Sequence, residues 1–382
     1  MGFLKTKLII VTISLIMLFG CAKSIIKIAA KKDDSPFRMF GKVPSREFYV
    51  PVNVSDSLNL VWENSVNGSF TNSSVSIYDD LVFVNDLSGR VYCFRFDDGK
   101  QLGKVKYKGA VYSTPIPFNN LLIFPVAIEK ENLTELVYYD YSAGKEIAII
   151  ELPGRVLTEM IAVDDGVIFN TEIGAVFKYD LHGNKVWEMH TRVPTRSSPS
   201  MKNNLFIFGN DKGEIISLDN STGDSVYVSN IGGSFYSGST IVDDIIYIGN
   251  NNGKLYALNL DDGKVIWEFD SEARILMTPA ADEENIVFGN LAGDLFSLNR
   301  TDGTLNWKTK FRGVLNATPM LTKNMIIVPE VFFSFHLVDK KDGSIIKDFY
   351  LDGRAKYSPV YYKGILFIGY DNGNLSAYEF VE

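Results

Sequence analysis

The chain has 382 residues, with 38 basic and 46 acidic side chains and a net charge of −8. This acidic balance argues against a nucleic-acid interface or a footprint on anionic lipid, both of which need concentrated positive charge. Its length exceeds what one hydrophobic core usually supports, about 250–300 residues, so either several domains or a repeat architecture is expected. The three histidines (His182, His190 and His336) lack ligand spacing, and we predict no metal site.

The N-terminus has the pattern of an export signal. Lys5 and Lys7 precede a twelve-residue apolar run, Leu8 to Phe19, which is shorter than the roughly 20 residues of a membrane span. The run ends at Gly20-Cys21, which resembles a bacterial lipobox, so we predict a lipoprotein signal peptide at 1–20 and lipid attachment at Cys21. The alternative is an ordinary signal peptide beside a chance cysteine. The other cysteine, Cys93, is then left without a disulfide partner and is expected to be a packed strand residue.

Residues 21–57 do not share the pattern of the rest of the chain. Lys31 to Pro36 is polar and rich in turn formers, and Pro44 and Pro51 follow. We interpret 21–57 as a flexible tether that holds the remainder away from a membrane. Residues 25–30, which are mostly apolar, offer the alternative of lying on the lipid surface.

Along the back half of the chain the sequence repeats with a period of forty, and the second blade departs from it with 45 residues from Gly99 to Gly144. Three sets of positions carry this period, two of glycine and one of proline, with Phe333 and Ser239 at positions where the expected residue is missing. The sets are Gly183, Gly223, Gly263, Gly303 and Gly343; Gly213, Gly253, Gly293 and Gly373; and Pro199, Pro279, Pro319 and Pro359. A strand-rich repeat of 40 to 45 residues is typical of a β-propeller blade.

Each repeat reads as four short strands. The unit that begins at Pro279 alternates apolar segments with turns such as Asn290–Gly293, where hairpin geometry favours Asn, Asp and Gly. Proline suits the start of the innermost strand, which is an edge that faces the central channel. Eight inner strands are predicted, starting at Ser74, Pro115, Met160, Pro199, Ser239, Pro279, Pro319 and Pro359. The fold class is therefore all-β, an eight-bladed propeller of four-stranded antiparallel blades over 58–382.

The last blade lacks its fourth strand, because the chain stops soon after Phe380. Leu60 to Asn64 resembles the fourth strand Val265 to Phe269, so we expect this N-terminal strand to complete the last blade and close the ring. Trp187, Trp267 and Trp307 recur at one phase, and Trp62 shares their strand type, which indicates packing between blades. In the second blade, extra length around Ala127 to Glu135 predicts a protruding hairpin.

The segment Gly253 to Trp267 has a Gly-x-Leu-Tyr-Ala-Leu pattern followed by Gly-Lys-x-x-Trp, which resembles the repeat of quinoprotein-type propellers. One branch of that family, the quinone-dependent dehydrogenases, typically has an adjacent cysteine pair that this chain lacks. The other branch, the BamB-like lipoproteins, is similar in its lipobox, blade number and length. That resemblance implies a non-catalytic scaffold with no cofactor, in which loops on one face meet a barrel-type insertase. The loop from His190 to Arg196 does not match the BamB pattern, so no contact residue is carried over.

A cation recurs in the loops that join one blade's outer strand to the next inner strand. These cations form our candidate partner-binding face: Lys108, Arg155, Arg192, Arg196, Arg274, Arg312 and Arg354. The alternative is that each cation pairs with a nearby acid, such as Glu159, Asp270, Glu272 or Asp352. A positive ring would focus an anionic partner at this mouth.

We therefore expect a monomeric scaffold lipoprotein of the outer membrane, facing the periplasm and engaged in β-barrel protein assembly, with no catalytic residue and no nucleic-acid partner. Two alternatives remain. One is a quinone- or small-molecule-binding propeller that acts as an enzyme or sensor. The other is a cell-surface lipoprotein that binds glycans.

Overall fold

Eight four-stranded antiparallel sheets make up the regular secondary structure in the computed structural model, which describes residues 25–29 and 37–381. These residues contain no helix, and so none long and apolar enough to cross a membrane. In seven of these sheets four consecutive strands follow one another through tight turns, whereas the eighth takes its outermost strand from the N-terminal side, and inner strands of neighbouring blades contact each other around a central channel. The predicted eight-bladed propeller is confirmed.

The first strand is β1 (Leu58–Ser65), and blades 1 to 4 follow it along the chain. Blade 1 contains β2 (Ser76–Tyr78), β3 (Leu81–Asn85), β4 (Arg90–Arg95) and β5 (Gln101–Lys106). Blade 2 contains β6 (Ile116–Phe118), β7 (Leu121–Ile128), β8 (Leu133–Asp140) and β9 (Lys145–Pro153). Blade 3 contains β10 (Ile161–Val163), β11 (Gly166–Asn170), β12 (Ala175–Asp180) and β13 (Lys185–His190). Blade 4 contains β14 (Ser200–Lys202), β15 (Leu205–Gly209), β16 (Glu214–Asp219) and β17 (Ser225–Asn230).

Blades 5 to 8 repeat the same order from the channel outward. Blade 5 contains β18 (Ser239–Val242), β19 (Ile245–Gly249), β20 (Lys254–Asn259) and β21 (Val265–Asp270). Blade 6 contains β22 (Ala280–Ala281), β23 (Asn285–Gly289), β24 (Asp294–Asn299) and β25 (Leu305–Lys310). Blade 7 contains β26 (Met320–Leu321), β27 (Met325–Glu330), β28 (Ser334–Asp339) and β29 (Ile345–Tyr350). Blade 8 contains β30 (Val360–Tyr362), β31 (Ile365–Tyr370) and β32 (Asn374–Phe380), with β1 outermost.

The ring closes through β1, as the sequence predicts. Seven residue pairs join β1 to β32, from Leu58 opposite Phe380 to Ser65 opposite Asn374. Trp62 is 7% exposed and packs against Phe367 of its own blade and Phe94 of blade 1. The N-terminal strand therefore joins the first and last blades and leaves blade 8 complete.

The packing of the tryptophans explains why glycine recurs at position 223 and its equivalents. The indole Nε1 of Trp187 donates a hydrogen bond to the carbonyl of Asn220 in the next blade at 2.8 Å, and Trp267 and Trp307 make the same bond 33 residues ahead. A methyl group on Gly223 would lie 2.7 Å from the Trp187 ring, and Gly223 also has a φ of +77°. Glycine is needed there for the close approach and for the backbone conformation. The prediction that these rings pack between blades is confirmed.

Part of the predicted tether is packed against the propeller. Residues 37–54 run inside the ring, where their carbonyls accept hydrogen bonds from the inner strands of five blades. The donors are the N–H groups of Ile77, Met201, Ile241, Ala281 and Leu321, at 2.7 to 2.9 Å. These donors are edge groups that the sheet leaves unpaired, and burying them unpaired would be costly. This backbone pairing is the physical reason for the difference from a free tether.

Hydrophobic side chains fix the same segment in three parts of the core. Phe37 packs with blades 1 and 8, Met39 with blades 2 and 3, and Phe40 with blades 5 to 7. Residues 25–29 also dock: Ile26 is fully buried among blade 1 and 2 side chains, and its carbonyl accepts a bond from the Tyr139 hydroxyl at 2.9 Å. For residues 25–29 the structure thus differs from the alternative in which the stretch 25–30 lies on lipid; residue 30 is outside the described residues.

The second blade is enlarged where the sequence predicts a hairpin. Its middle strands β7 and β8 each have eight residues and pair from Leu121 opposite Asp140 to Ile128 opposite Leu133. Its outer strand β9, with nine residues, is longer than any other fourth strand among the described residues. The added residues extend blade 2 beyond its neighbours.

Candidate partner-binding face

Two kinds of loop meet at one end of the channel. The mouth loops join the outer strand of one blade to the inner strand of the next, and the tip loops join the second and third strands of each blade. A backbone bond connects each pair, as where the Leu291 N–H donates to the Arg274 carbonyl at 2.9 Å. The predicted cations all lie in mouth loops: Lys108, Arg155, Arg192, Arg196, Arg274, Arg312 and Arg354.

Three of these mouth cations pair with a carboxylate of the adjoining tip loop. Arg155 donates from Nε and Nη2 to the two carboxylate oxygens of Glu172 at 2.6 and 2.5 Å, which raises the pKa of the guanidinium. Arg196 lies 3.2 Å from Asp211, and Arg354 lies 2.5 Å from Asp371. The partners are therefore tip-loop acids and not the acids that the sequence analysis named.

The other four mouth cations make no ion pair with any residue in the described part of the chain. Lys108, Arg192, Arg274 and Arg312 are all exposed. A solvated charge without a partner keeps its attraction for an incoming ligand, within a screening length of about 8 Å at physiological salt. This end of the channel therefore presents free positive charge although the whole chain is acidic.

A polar cavity of about 200 Å³ occupies the channel behind the mouth loops. Its walls include two tyrosines, several hydroxyl and amide side chains and one buried carboxylate, and Phe40 of the N-terminal segment also lines it. The polar lining residues include Asn72, Tyr112, Thr158, Glu159, Tyr236, Thr278 and Asn316. The cavity opens toward the mouth, while the segment 37–54 lies against the inner strands on its other side.

A buried pair of opposite charges lies beside this cavity. Glu159 is 3% exposed, and its carboxylate accepts bonds from the Thr114 N–H at 2.9 Å and from the hydroxyls of Ser113 and Thr114. Burial raises the pKa of Glu159 to about 7, against the opposing effect of the Arg46 charge. Arg46 is fully buried, and burial lowers its pKa to about 10.

Arg46 also binds the backbone of the third blade. Its Nη2 donates to the carbonyls of Glu159 and Met160 at 3.3 Å, while Nε and Nη1 have no hydrogen-bond partner among the described residues. The guanidinium also lies over the Phe40 ring, 5.2 Å from its centre. Arg46 was not predicted from the sequence as part of the channel. No sequence signal set it apart, because Arg38, Lys42 and Glu47 are charged residues of the same segment.

A second cluster, of which Ser334 and His336 are buried, contains the three residue types of a Ser-His-Asp catalytic triad. Ser334, His336 and Asp348 lie in line, with 3.1 Å from Ser334 Oγ to His336 Nε2 and 2.6 Å from Nδ1 to Asp348. Glu330, however, lies 2.9 Å from the same Nε2 and accepts the Ser334 hydroxyl at 2.7 Å. Ser334 is 3% exposed, so the cluster presents no accessible nucleophile and its carboxylates bind opposite sides of one imidazole.

The remaining sequence predictions fall outside the cavity. Cys93 is buried within β4, which confirms it as a packed strand residue, and burial raises the pKa of its thiol. Cys21 and the signal peptide 1–20 lie outside the described residues.

Comparisons with known families and structures agree with this architecture. The family profile described as "Outer membrane protein assembly factor BamB" matches residues 126–238 and 229–380. A comparison with curated proteins found no match.

Among solved structures, BamB from Moraxella catarrhalis is similar with a TM-score of 0.72 and 19% identity, covering 85% of this chain and 100% of that one. The computationally designed Ika8 protein is similar with a TM-score of 0.72 and 11% identity, covering 83% and 98%. The quinohemoprotein alcohol dehydrogenase ADHIIG from Pseudomonas putida HK5 has a TM-score of 0.76 and 11% identity, covering 91% and 80%. At these identities the likeness shows the fold alone.

Proposed function

Because the chain belongs to the family described as outer membrane protein assembly factor BamB, we propose that it is a non-catalytic scaffold for outer-membrane β-barrel protein assembly. It is held to the membrane by lipid at Cys21, faces the periplasm, and docks a protein partner on its mouth loops. The observation that carries this proposal is the set of exposed mouth cations without ion pairs on an otherwise acidic protein. Such charge speeds association and selects an anionic surface.

The test is charge reversal at three unpaired mouth cations, Lys108→Glu, Arg192→Glu and Arg274→Glu, in the full-length lipidated protein. The partner recovered by cross-linking and affinity purification from native membranes should fall at least about tenfold, with no change in melting temperature. The matched control keeps the charge, with Arg192→Lys and Arg274→Lys, and should recover the partner normally. Equal recovery from the reversed protein would contradict the proposal.

The lipid anchor has a separate test. Cys21→Ser should abolish incorporation of labelled palmitate and leave the signal peptide uncleaved, so that the variant migrates as the longer precursor. Retention of label on the serine variant would show that the lipid is attached elsewhere.

One observation favours a second candidate, a small-molecule-binding propeller. The channel cavity combines a buried carboxylate with hydroxyl, amide and aromatic side chains, and such polar groups can orient a small ligand. A quinone cofactor does not fit the dehydrogenase pattern, because the two cysteines of the chain, Cys21 and Cys93, are not an adjacent pair. A polar metabolite at a hundredfold excess over its Kd should stabilise the protein by about 2.7 kcal/mol, which a thermal-shift screen would detect.

A further inference from the structure

Three large aromatic side chains are exposed together at the mouth end of blade 7. Phe332 and Phe333 form its tip loop and are 56% and 49% exposed, with their rings in T-shaped contact at 6.2 Å. Tyr350, at the end of β29, is 77% exposed. It lies opposite Ser334, the residue after Phe333, and the Leu351 N–H donates to the Phe333 carbonyl at 2.8 Å. We call these three residues the blade-7 aromatic patch.

Blades 5 and 6 carry small, polar or charged residues at the same positions, and blade 3 has the aliphatic Ile173 in place of Phe332. In blade 6 the equivalents are Ala292, Gly293 and Lys310, and blade 5 has Asn252, Gly253 and Asp270. The equivalence is structural as well as sequential, because Phe311 donates to the Gly293 carbonyl as Leu351 does to Phe333. The propeller therefore builds this corner without aromatics, and their presence in blade 7 is not a requirement of the fold.

Phe333 also has an unfavourable backbone conformation. Its φ is +60°, in the left-handed region that glycine occupies at the equivalent Gly213, Gly253 and Gly293. A bulky residue in that region is strained, and such strain is concentrated at functional sites. Burial does not offset this strain, because about half of the Phe333 side chain is exposed to solvent.

The patch is flanked by positive charge. On one side is Arg312, which is exposed and makes no ion pair with a described residue; its neighbour Gly313 lies against the Cβ of Phe332. On the other side Arg354 and Lys356 share the single carboxylate of Asp371. Carboxylates are also present, at the exposed Asp352 and at the buried Glu330, whose side chain accepts the Gly313 N–H, but Arg312 is an exposed cation that makes no ion pair with a described residue. Exposed aromatic residues beside arginine have the composition of a protein-binding hot spot.

We propose that the blade-7 aromatic patch is a docking site for a protein segment that combines acidic with aliphatic side chains. The rings of Phe332, Phe333 and Tyr350 would cover the aliphatic side chains, and Arg312 and Arg354 would attract the acidic ones. This inference rests on the proposed scaffold function and adds a specific surface and the chemistry of its occupant.

The experiment places a photo-cross-linking phenylalanine derivative at position 332 of the full-length protein in native membranes. The matched control places it at Ala292, the equivalent position of blade 6. Cross-linked peptides are identified by mass spectrometry, and the captured segment is synthesised for binding measurements. The proposal expects position 332 alone to capture a segment with net negative charge and aliphatic residues.

Binding of that synthetic peptide is then compared between the wild-type protein and a variant that carries the blade-6 residues at positions 332 and 333 and the neutral residue of blade 4 at position 350: Phe332→Ala, Phe333→Gly and Tyr350→Asn. The variant should bind at least about tenfold more weakly while melting at the same or a higher temperature, since the strain at Phe333 is removed. Equal cross-linking at both positions, capture of lipid or of a basic segment, or unchanged affinity in the variant would overturn the proposal. If the variant still recovers the native complex while reversal of Lys108, Arg192 and Arg274 abolishes it, the scaffold function stands and this site fails.

Discussion

The two ends of the channel are built in opposite ways. At the closed end, residues 37–54 pair with inner strands and bury Phe40, Arg46 and Phe48. At the mouth end, the loops leave cations and a set of aromatic residues in solvent. The closed end is built by residues 37–54, which lie outside the repeat. The mouth is built by loops of the repeat itself, in which the residues differ from blade to blade. The comparison teaches that stability and recognition are assigned to different ends of one ring, so substitutions at each end should have separable effects.

Deletion of the closing strand, residues 58–65, should have the largest effect. It removes Trp62, the seven residue pairs between β1 and β32 and the junction between blades 1 and 8. The loss in unfolding free energy should exceed the roughly 3–5 kcal/mol expected for Trp62→Ala alone. Calorimetry on the deletion, Trp62→Ala and Trp62→Phe measures the series. A deletion that melts like the intact protein would contradict closure through β1.

Phe40→Ala tests the closed end itself. The ring is 1% exposed and packs edge-on against Phe48 at 4.8 Å, so its removal should cost about 3–5 kcal/mol in chemical denaturation. Phe332→Ala is the matched control at the mouth, and because that ring is 56% exposed the change should stay within about 0.5 kcal/mol. Similar losses for the two variants would show that the ends do not divide stability from recognition.

Glu159 links the two ends through pH. Its pKa is raised from 4.5 to about 7 in the folded protein, so the folded state binds more protons than the unfolded state between those values. Stability should therefore fall as pH rises across this window, by about 3 kcal/mol from this group. Glu159→Gln should remove that slope, measured by denaturant unfolding from pH 4.5 to 8. Asp352→Asn, at an exposed carboxylate, should keep the slope, and an unchanged slope in Glu159→Gln would assign it to other groups.

The sequence predicted the repeating parts of the molecule because each repeat shows the same constraint several times. The glycine at position 223 and its equivalents, and the tryptophans such as Trp187, predicted strand order and inter-blade packing correctly. Ring closure was predictable because Leu60 to Asn64 shares the outer-strand pattern. Because each of these patterns recurs in several blades, a departure in one blade does not hide it. The fold was therefore predicted better than the site, which depends on single residues.

The path of residues 37–54 could not be predicted in the same way. Its hydrogen bonds to the inner-strand edges are made by the backbone, and these depend little on which side chains the segment carries. The proximity of Arg46 to Glu159, which is 113 residues away, is not part of any repeat. The mouth ion pairs were within reach, because Arg155 and Arg354 each lie 17 residues before their acid. For Phe333 the sequence showed only that a phenylalanine replaces the glycine found at the equivalent position of other repeats.

The smallest expected effect is the difference in unfolding free energy between removing a paired mouth cation and removing an unpaired one. Arg155→Ala breaks a two-bond contact with Glu172 and should cost about 1 kcal/mol at most, because both groups border solvent. Arg274→Ala removes a cation without an ion pair and should leave the unfolding free energy within about 0.5 kcal/mol. Raising salt from 0.1 to 1 M should shrink the Arg155 effect and leave the Arg274 result unchanged, since Arg274 makes no close ion pair with a described residue whose contribution to stability salt could reduce. If Arg274→Ala proved as destabilising as Arg155→Ala, the mouth cations would have a structural role, and the assignment of recognition to this end would lose its basis.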